Sequence, residues 1–310
     1  SRLMKSPPKV LIRILVGVLS TAALLLYVDF RSVVTHAIRV DSSWALFSAA
    51  LILTSTLIGA YNIYIFIRRD HSLRWLSFLA IYWVGWALSL IVPGQVGDIA
   101  GISTLLRKHD VPWQVSIART LLDKMLSMLV MLSLAIGGLL LVAQHIDMVL
   151  APPALSLPAT IVLTVAIGFI IYSLRGHSPQ WVERLRGFAV NARTEILHIC
   201  KAMPKLVLLN FLLTIVKTVL VGLSYWCMFH ALGQSPAPGA VVLLSAVSSL
   251  VAYIPVSLNG LGTVELVGIA LFATLGLPAP VVLAAYLLLR GMVLVLAWLP
   301  AGAWLLLARR

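Results

Sequence analysis

Two segments of the chain repeat one order of residue types: a proline, then glycines, then an acidic residue at the start of a new apolar stretch. The first segment has Pro93, Gly94, Gly97 and Asp98, and the second has Pro255, Gly260, Gly262 and Glu265. A backbone that breaks at membrane depth must be enclosed by protein or face a watery cavity, because lipid cannot satisfy its polar groups. Two such breaks in matched positions are typical of the binding site of a transporter.

The apolar stretch after each break predicts a helix whose N-terminus faces that cavity. A helix N-terminus presents unpaired N–H groups and a positive partial charge, which favour an anion such as phosphate. Ser257 and Asn259, inside the second break, add hydrogen-bond donors. The alternative is that Asp98 and Glu265 only satisfy the helix N-termini, as acidic residues in a first turn commonly do.

Charged residues also interrupt the apolar stretches at Arg119, Asp123 and Arg290. A charged side chain at the centre of a spanning helix costs about 2.5 to 3.5 kcal/mol, so each of these needs a partner or water. Arg119 and Asp123 have the spacing of an i,i+4 pair, and such pairing is compatible with substrate binding. Arg290 has no acid within helical reach, so its partner is Glu265 or a lipid phosphate. We therefore predict a substrate-binding set of Asp98, Arg119, Asp123, Ser257, Asn259, Glu265 and Arg290.

Lys124 and Lys217 are less specific signals, because a lysine can extend its side chain to an interface or a cavity. The two cysteines have neither disulfide nor zinc-type spacing, and the seven histidines form no ligand motif. The sequence therefore predicts no metal site, no cofactor and no catalytic set.

The composition explains why these charges are informative. Hydrophobic residues make up 61% of the 310 residues and charged residues only 11%, which is typical of a membrane protein. The net charge of +13 lies in clusters that flank the apolar stretches, so it indicates topology and not nucleic-acid binding. We expect a single integral membrane domain over residues 1–310.

The apolar stretches predict an all-α polytopic protein with six full spans and two broken re-entrant hairpins. The spans are at 10–27, 44–67, 113–142, 158–174, 206–232 and 281–307. The hairpin arms are at 75–92 with 97–108, and at 241–254 with 263–275. Each arm is too short to cross a hydrocarbon core of about 30 Å, although pairs of short full crossings would give every other loop the same sidedness.

The loops alternate between basic and uncharged, which places both termini in the cytoplasm. The strongest cytoplasmic signal is the polar stretch at 175–205. The first hairpin then opens to the cytoplasm and the second to the outside. This order predicts two inverted repeats, at 8–142 and 157–308, related by a pseudo-twofold axis in the membrane plane.

Four stretches resemble the lysylphosphatidylglycerol synthase transmembrane family, also called the flippase-like domain. They are Ile91-Val-Pro-Gly-Gln-Val-Gly-Asp98, Ala118-Arg-Thr-Leu-Leu-Asp123, Ile254-Pro-Val-Ser-Leu-Asn-Gly-Leu-Gly-Thr-Val-Glu265 and Leu289-Arg290. The chain departs from the family where Gln95 replaces a basic residue, where Asp98 replaces glutamate, and where Gly101 stands at a position that is often arginine.

The resemblance implies lipid handling. In the multiple-peptide-resistance-factor branch of the family, this domain is assigned to moving aminoacylated phosphatidylglycerol between leaflets. Other relatives accompany pathways that make sugar-linked polyprenyl lipids or hopanoids. The resemblance therefore implies membrane lipids, anionic or phosphate-bearing, as partners.

We expect a lipid translocase of the bacterial inner membrane, and a transport protein more than an enzyme. One alternative is a membrane-embedded enzyme or glycosylation accessory that acts on a polyprenyl-phosphate lipid, with Asp98, Asp123 or Glu265 as acid or base. Another is an ion-coupled transporter of a small solute. The sequence leaves the lipid, the direction of movement and any oligomer open.

Overall fold

The computed structural model describes residues 21–24, 28–91, 97–143, 194, 196–253 and 260–307, with side chains through residue 304. The predicted span at 158–174 and most of that at 10–27 lie outside the described residues. So do five of the residues selected from the two breaks: Pro93, Gly94, Pro255, Ser257 and Asn259.

Helices account for the regular structure of the described residues, and these contain no strand. The helices are α1 (Phe30–Ile38), α2 (Ser42–Asp70), α3 (Trp75–Ser89), α4 (Gly97–Leu106), α5 (Trp113–Ala143), α6 (Pro204–Ala231), α7 (Pro238–Val251), α8 (Thr263–Ala273) and α9 (Ala279–Leu307). A short 3-10 helix, Arg107–His109, follows α4. The sequence prediction of an all-helical fold is confirmed for this part of the chain.

Four helices among the described residues, α2, α5, α6 and α9, are long and apolar enough to cross a membrane. The longest, α5, has 31 residues, which gives about 46 Å at 1.5 Å per residue, more than the roughly 30 Å of the hydrocarbon core. These helices match the spans predicted at 113–142, 206–232, 281–307 and 44–67, with ends that differ by a few residues.

The other four helices of the core are short and pack in two pairs. Helix α3 has 15 residues and contacts α4, which has 10, while α7 has 14 residues and contacts α8, which has 11. At 1.5 Å per residue these helices are about 15 to 23 Å long. The predicted arms therefore exist as short apolar helices on either side of each break.

Glycines let the helices of each pair meet, for a different reason in each. A Cβ atom added at Gly97 would lie 2.7 Å from the Leu88 carbonyl oxygen and 2.9 Å from Ser89 Cα, so α4 starts in direct contact with the backbone of α3. Gly260 and Gly262 instead have φ values of 72° and 80°, a left-handed conformation that residues with a Cβ rarely adopt.

Residues 28–41 are more ordered than the sequence suggested. We expected a short connecting segment there, and the structure places the nine-residue helix α1 in it. The helix forms because Val33 is buried and α1 packs against α9. Helix α2 begins with an N-cap, because the Asp41 carboxylate accepts a hydrogen bond from the Ser43 N–H at 2.8 Å.

Helices α2 and α6 run antiparallel through the centre and make the most extensive helix contact among the described elements. Polar side chains fix their register at two levels. The Ser48 hydroxyl donates to the Ser224 carbonyl oxygen at 2.8 Å, and the Asn210 amide donates to the Asn62 carbonyl oxygen at 3.1 Å. All four residues are buried. The remaining long and short helices pack around this central pair.

Candidate functional site

A cavity of about 550 Å³ lies where the two pairs of short helices meet the long helices. Every helix from α2 to α9 contributes to its wall. The wall is mostly apolar but carries hydroxyl side chains at intervals, among them Ser55, Thr56, Ser127, Thr218 and Ser249. A cavity of this size with a few placed polar groups has the character of a small-molecule or headgroup site.

Six charged side chains line this cavity, three acids and three bases, so their formal charges cancel. They form three ion pairs: Asp98 with Lys124, Asp123 with Lys217, and Glu265 with Arg290. Intramembrane charges of this kind are rare and usually functional. Within the described residues, the cavity therefore holds six of the few charges that lie inside the apolar helices.

The Glu265–Arg290 pair joins the start of α8 to α9. Glu265 Oε1 accepts from Arg290 Nε at 2.9 Å and lies 2.7 Å from Nη2, while Oε2 accepts from the Gly262 N–H at 2.7 Å. The carboxylate is fully buried, whereas the arginine side chain is 23% exposed. Of the two partners that the sequence left open for Arg290, the structure shows Glu265, which also satisfies a helix N-terminus.

The Asp98–Lys124 pair joins the start of α4 to α5 in the same manner. Lys124 Nζ lies 2.5 Å from Asp98 Oδ2, and Asp98 Oδ1 accepts from the Ile99 N–H at 2.8 Å. Both side chains retain nearly a fifth of their surface exposed. A carboxylate in the first turn of a helix is also stabilised by the helix dipole.

The Asp123–Lys217 pair links α5 to α6. Lys217 Nζ lies 3.4 Å from Oδ1 and 3.2 Å from Oδ2 of Asp123, and Oδ1 also accepts from the Asn210 amide at 3.1 Å. The Asn210 amide also donates a hydrogen bond to the Asn62 carbonyl oxygen on α2. This pair is therefore part of a buried polar network that crosses the central helices.

Four tyrosines complete the polar surroundings of the charges: Tyr82, Tyr225, Tyr253 and Tyr286. Tyr286 shares a hydrogen bond of 2.6 Å with the Ser248 hydroxyl. The Tyr225 and Tyr286 rings also contact each other, with centroids 5.0 Å apart. The ion pairs of Asp98 and Asp123 meet at neighbouring residues of α5, whereas the Glu265–Arg290 pair joins α8 to α9.

Arg119 lies outside this cavity. It is buried beside the end of α2, where its guanidinium pairs with the Asp70 carboxylate and donates to the Phe66 carbonyl oxygen. The i,i+4 pairing of Arg119 with Asp123 that the sequence suggested is wrong, because Asp123 pairs with Lys217. Tertiary partners from α2 and α6 replace the local one in both cases.

The structure brings together four of the seven residues predicted to bind substrate: Asp98, Asp123, Glu265 and Arg290. Gly97, Gly260 and Gly262 position the first turns of α4 and α8 beside them. Their role in binding a substrate stays a prediction.

Sequence reasoning left Lys124 and Lys217 out of the predicted set, although both line the cavity. Lys217 carried a usable signal, because it lies in the middle of α6, a helix long and apolar enough to cross a membrane. The tyrosines carried none, since aromatic residues are common throughout membrane helices. Among the described residues, no group of three or more His, Cys, Asp or Glu side chains is arranged to hold a metal ion.

A known family matches nearly the whole chain. The family described as "Lysylphosphatidylglycerol synthase TM region" matches residues 10–301. No curated protein matches the chain. The family match includes α1 to α8, most of α9 and all six charged residues of the cavity.

Proposed function

The chain belongs to the lysylphosphatidylglycerol synthase transmembrane family, and on this premise we propose that it is a lipid translocase of the bacterial inner membrane. The proposed substrate is a phosphate-bearing lipid whose headgroup enters the charged cavity. Aminoacyl-phospholipids, polyprenyl-phosphate-linked lipids and hopanoid-type lipids are the candidate classes. The family supports a role in membrane lipid chemistry, and the cavity supports the binding step.

The observation that carries the proposal is the set of three ion pairs around one cavity. Buried ion pairs add little to stability compared with apolar packing, so their presence within a membrane protein favours a role in binding. A polar headgroup needs such a site because crossing the apolar core unaided is unfavourable. The acyl chains would stay in the surrounding lipid.

The helix contacts support an inverted repeat. If α2 exchanges with α6, α3 with α7, α4 with α8 and α5 with α9, each principal contact maps onto another that exists. Thus the contact of α3 with α9 becomes that of α7 with α5, and the contact of α4 with α5 becomes that of α8 with α9. The contact of α1 with α9 also has a counterpart. Ile199 and Met203, which precede α6 as α1 precedes α2, pack against Ala118 and Leu122 of α5.

Two of the ion pairs follow the same exchange. Asp98 and Glu265 both stand in the first turn of the second short helix of a pair, and each binds a base on the long helix that follows. We propose that the two short pairs are re-entrant hairpins, from opposite faces, in a protein with six full spans and cytoplasmic termini. Alternating exposure of one site is then the expected mode of action.

The test is lipid movement in liposomes that contain the purified full chain. Native mass spectrometry first identifies the lipid that co-purifies, and a fluorescent analogue of that class is then followed by leaflet-selective quenching. We expect movement that protein-free liposomes do not show. Chemical conversion of the lipid in the same sample, with no movement, would favour the enzyme alternative and contradict the proposal.

A matched pair of variants ties movement to the cavity. Ser249→Trp introduces an indole on the cavity wall, whereas Leu132→Trp introduces the same group on the exposed surface of α5. We expect the first to abolish movement and the second to retain it, with both proteins folded. Equal movement in both variants would show that the lipid uses another route.

A further inference from the structure

The three bases of the cavity differ in how well their partner carboxylates would remain stabilised if the base turned towards a ligand. Arg290 is the partner of a carboxylate with no exposed surface, and the same carboxylate holds the Gly262 N–H. Removing the guanidinium would leave that buried charge uncompensated, which is strongly unfavourable. The Glu265–Arg290 pair is therefore suited to remain closed.

The carboxylates that hold the two lysines have other support. Asp98 is 19% exposed, accepts from the Ile99 N–H and lies at a helix N-terminus. Asp123 is 10% exposed and keeps the Asn210 amide as a donor. Either aspartate can therefore share its lysine with a ligand without becoming an isolated buried charge.

The lysines also have donors to offer. An ammonium group carries three N–H donors, and Lys124 Nζ has one hydrogen-bond acceptor among the described residues, Asp98 Oδ2. Lys217 contacts the two oxygens of a single carboxylate at 3.2 and 3.4 Å, longer than the distances in the other two pairs. Both ammonium groups can turn towards an anion while they stay near their aspartates.

The two lysines belong to ion pairs that meet on α5. The carboxylate that holds Lys217 is that of Asp123, the chain neighbour of Lys124, and both lysines line the same cavity. Lys124 lies on α5, in the first proposed repeat, whereas Lys217 lies on α6, in the second. One phosphate group bound by both would connect the two halves of the molecule.

We propose that Lys124 and Lys217 together form the phosphate subsite of the cavity, and that Arg290 stays paired with Glu265 while the phosphate binds. This inference rests on the proposed function, since it names the residues that hold the lipid phosphate. Phosphate binding is thus assigned to two lysines that the sequence analysis left out of its binding set. Arg290 becomes a positioning residue for the start of α8.

The test measures binding separately from movement. The full chain in a non-ionic detergent is titrated by calorimetry with dioctanoyl phosphatidic acid, with inorganic phosphate, and with neutral dioctanoylglycerol. We expect the phosphatidic acid to bind and the neutral lipid to bind at least about tenfold more weakly, since charge-assisted hydrogen bonds are lost. Binding of inorganic phosphate with equal affinity would identify a free anion, and not a lipid headgroup, as the ligand and would overturn the assignment.

Single substitutions distinguish the role of the lysines in binding from the role of their aspartates. Lys124→Gln and Lys217→Gln should each weaken phosphatidic acid binding about tenfold or more, whereas Asp123→Asn should bind it at least as tightly as wild type because it releases Lys217. If the pairs were only structural, Lys217→Gln and Asp123→Asn would weaken binding alike, and that result would overturn the inference.

Folding is controlled with the double variant Asp123→Asn/Lys217→Gln, which carries no uncompensated charge and should unfold at nearly the wild-type temperature while binding stays weak. Recovery of binding in this variant would contradict the assignment. Wild-type protein that binds phosphatidic acid through the lysines but moves no lipid would refute the proposed function and leave this inference standing. Lipid movement by the wild-type protein, together with unaltered phosphatidic acid binding in both lysine variants, would support the proposed function and refute this inference.

Discussion

The start of α4 and the start of α8 each carry an ion pair of the same kind, but the two pairs are buried to different extents. Asp98 and Lys124 both keep part of their surface open to the cavity, whereas Glu265 is fully buried and also binds the Gly262 N–H. The same position in the two halves thus serves as an open contact in one and as a closed clamp in the other. A repeated motif does not imply a repeated role.

The halves also differ in how their charges are paired. In the first half, Asp123 precedes Lys124 and forms an ion pair with Lys217 of the second half, whereas in the second half the buried apolar Leu289 precedes Arg290. The third ion pair of the cavity therefore joins the two halves. The following predictions test whether the first half is the adaptable side of the cavity and the second the rigid one.

The largest effect is expected for Glu265→Gln. This change removes the charge that compensates Arg290 and weakens the acceptor of the Gly262 N–H, so it should lower the free energy of unfolding by about 3 kcal/mol. The matched variant Asp98→Asn should lower it by about 1 kcal/mol or less, because Asp98 and Lys124 are both partly solvated. The measurement is denaturant unfolding in mixed micelles. Equal losses would remove the distinction between clamp and open contact.

An intermediate effect is expected for the glycines that start the two second helices. Gly97→Ala places a methyl group against the backbone of α3 and should destabilise the protein by about 2 kcal/mol. Gly260→Ala should do the same through its positive φ and its contact with Val264. Gly239→Ala is the control, since nothing lies within 4 Å of its added methyl group. Thermal unfolding that is unchanged in Gly97→Ala would show that α4 can move away from α3.

The smallest effect is expected where α3 meets α9. The Trp83 indole donates to the Leu296 carbonyl oxygen at 2.8 Å, and Trp83→Phe should lower the free energy of unfolding by about 1 kcal/mol. The corresponding contact of α5 with α7 brings Gly138 against the Leu243 backbone. Gly138→Ala should therefore destabilise the protein more than Trp83→Phe does, and the reverse order would indicate that the two contacts are interchangeable.

Much of this arrangement could be predicted from the sequence because the bilayer restricts the choices. A run of about 20 apolar residues predicts a spanning helix, and a break such as that before Gly97 predicts a shorter one. The need of Arg290 for a partner was also predictable, since an intramembrane charge requires an opposite one, and Glu265 was one of the two candidates. These inferences depend only on residue type and on distance along the chain.

The remaining pairs could not be predicted, because their partners are distant in sequence. Arg119 binds Asp70, 49 residues away, and Asp123 binds Lys217, 94 residues away, although each had a complementary charge four residues from it. The packing of α5 against α2 and α6 decides these partners. Helix α1 was missed for a similar reason, since a nine-residue segment becomes helical only when α9 buries its apolar side.

The central contact of α2 with α6 has a consequence for the synthesis of the chain. Asn62 and Asn210 are 148 residues apart, and a ribosome that adds about 5 to 20 residues per second needs roughly 7 to 30 s to make the chain between them. Until α6 is made, Ser48 and Asn62 of α2 lack the partners that this helix supplies. A nascent chain that stops before residue 204 would present these polar groups to lipid or to the insertion machinery. The helix pair at the centre of the finished protein is thus completed late in its synthesis.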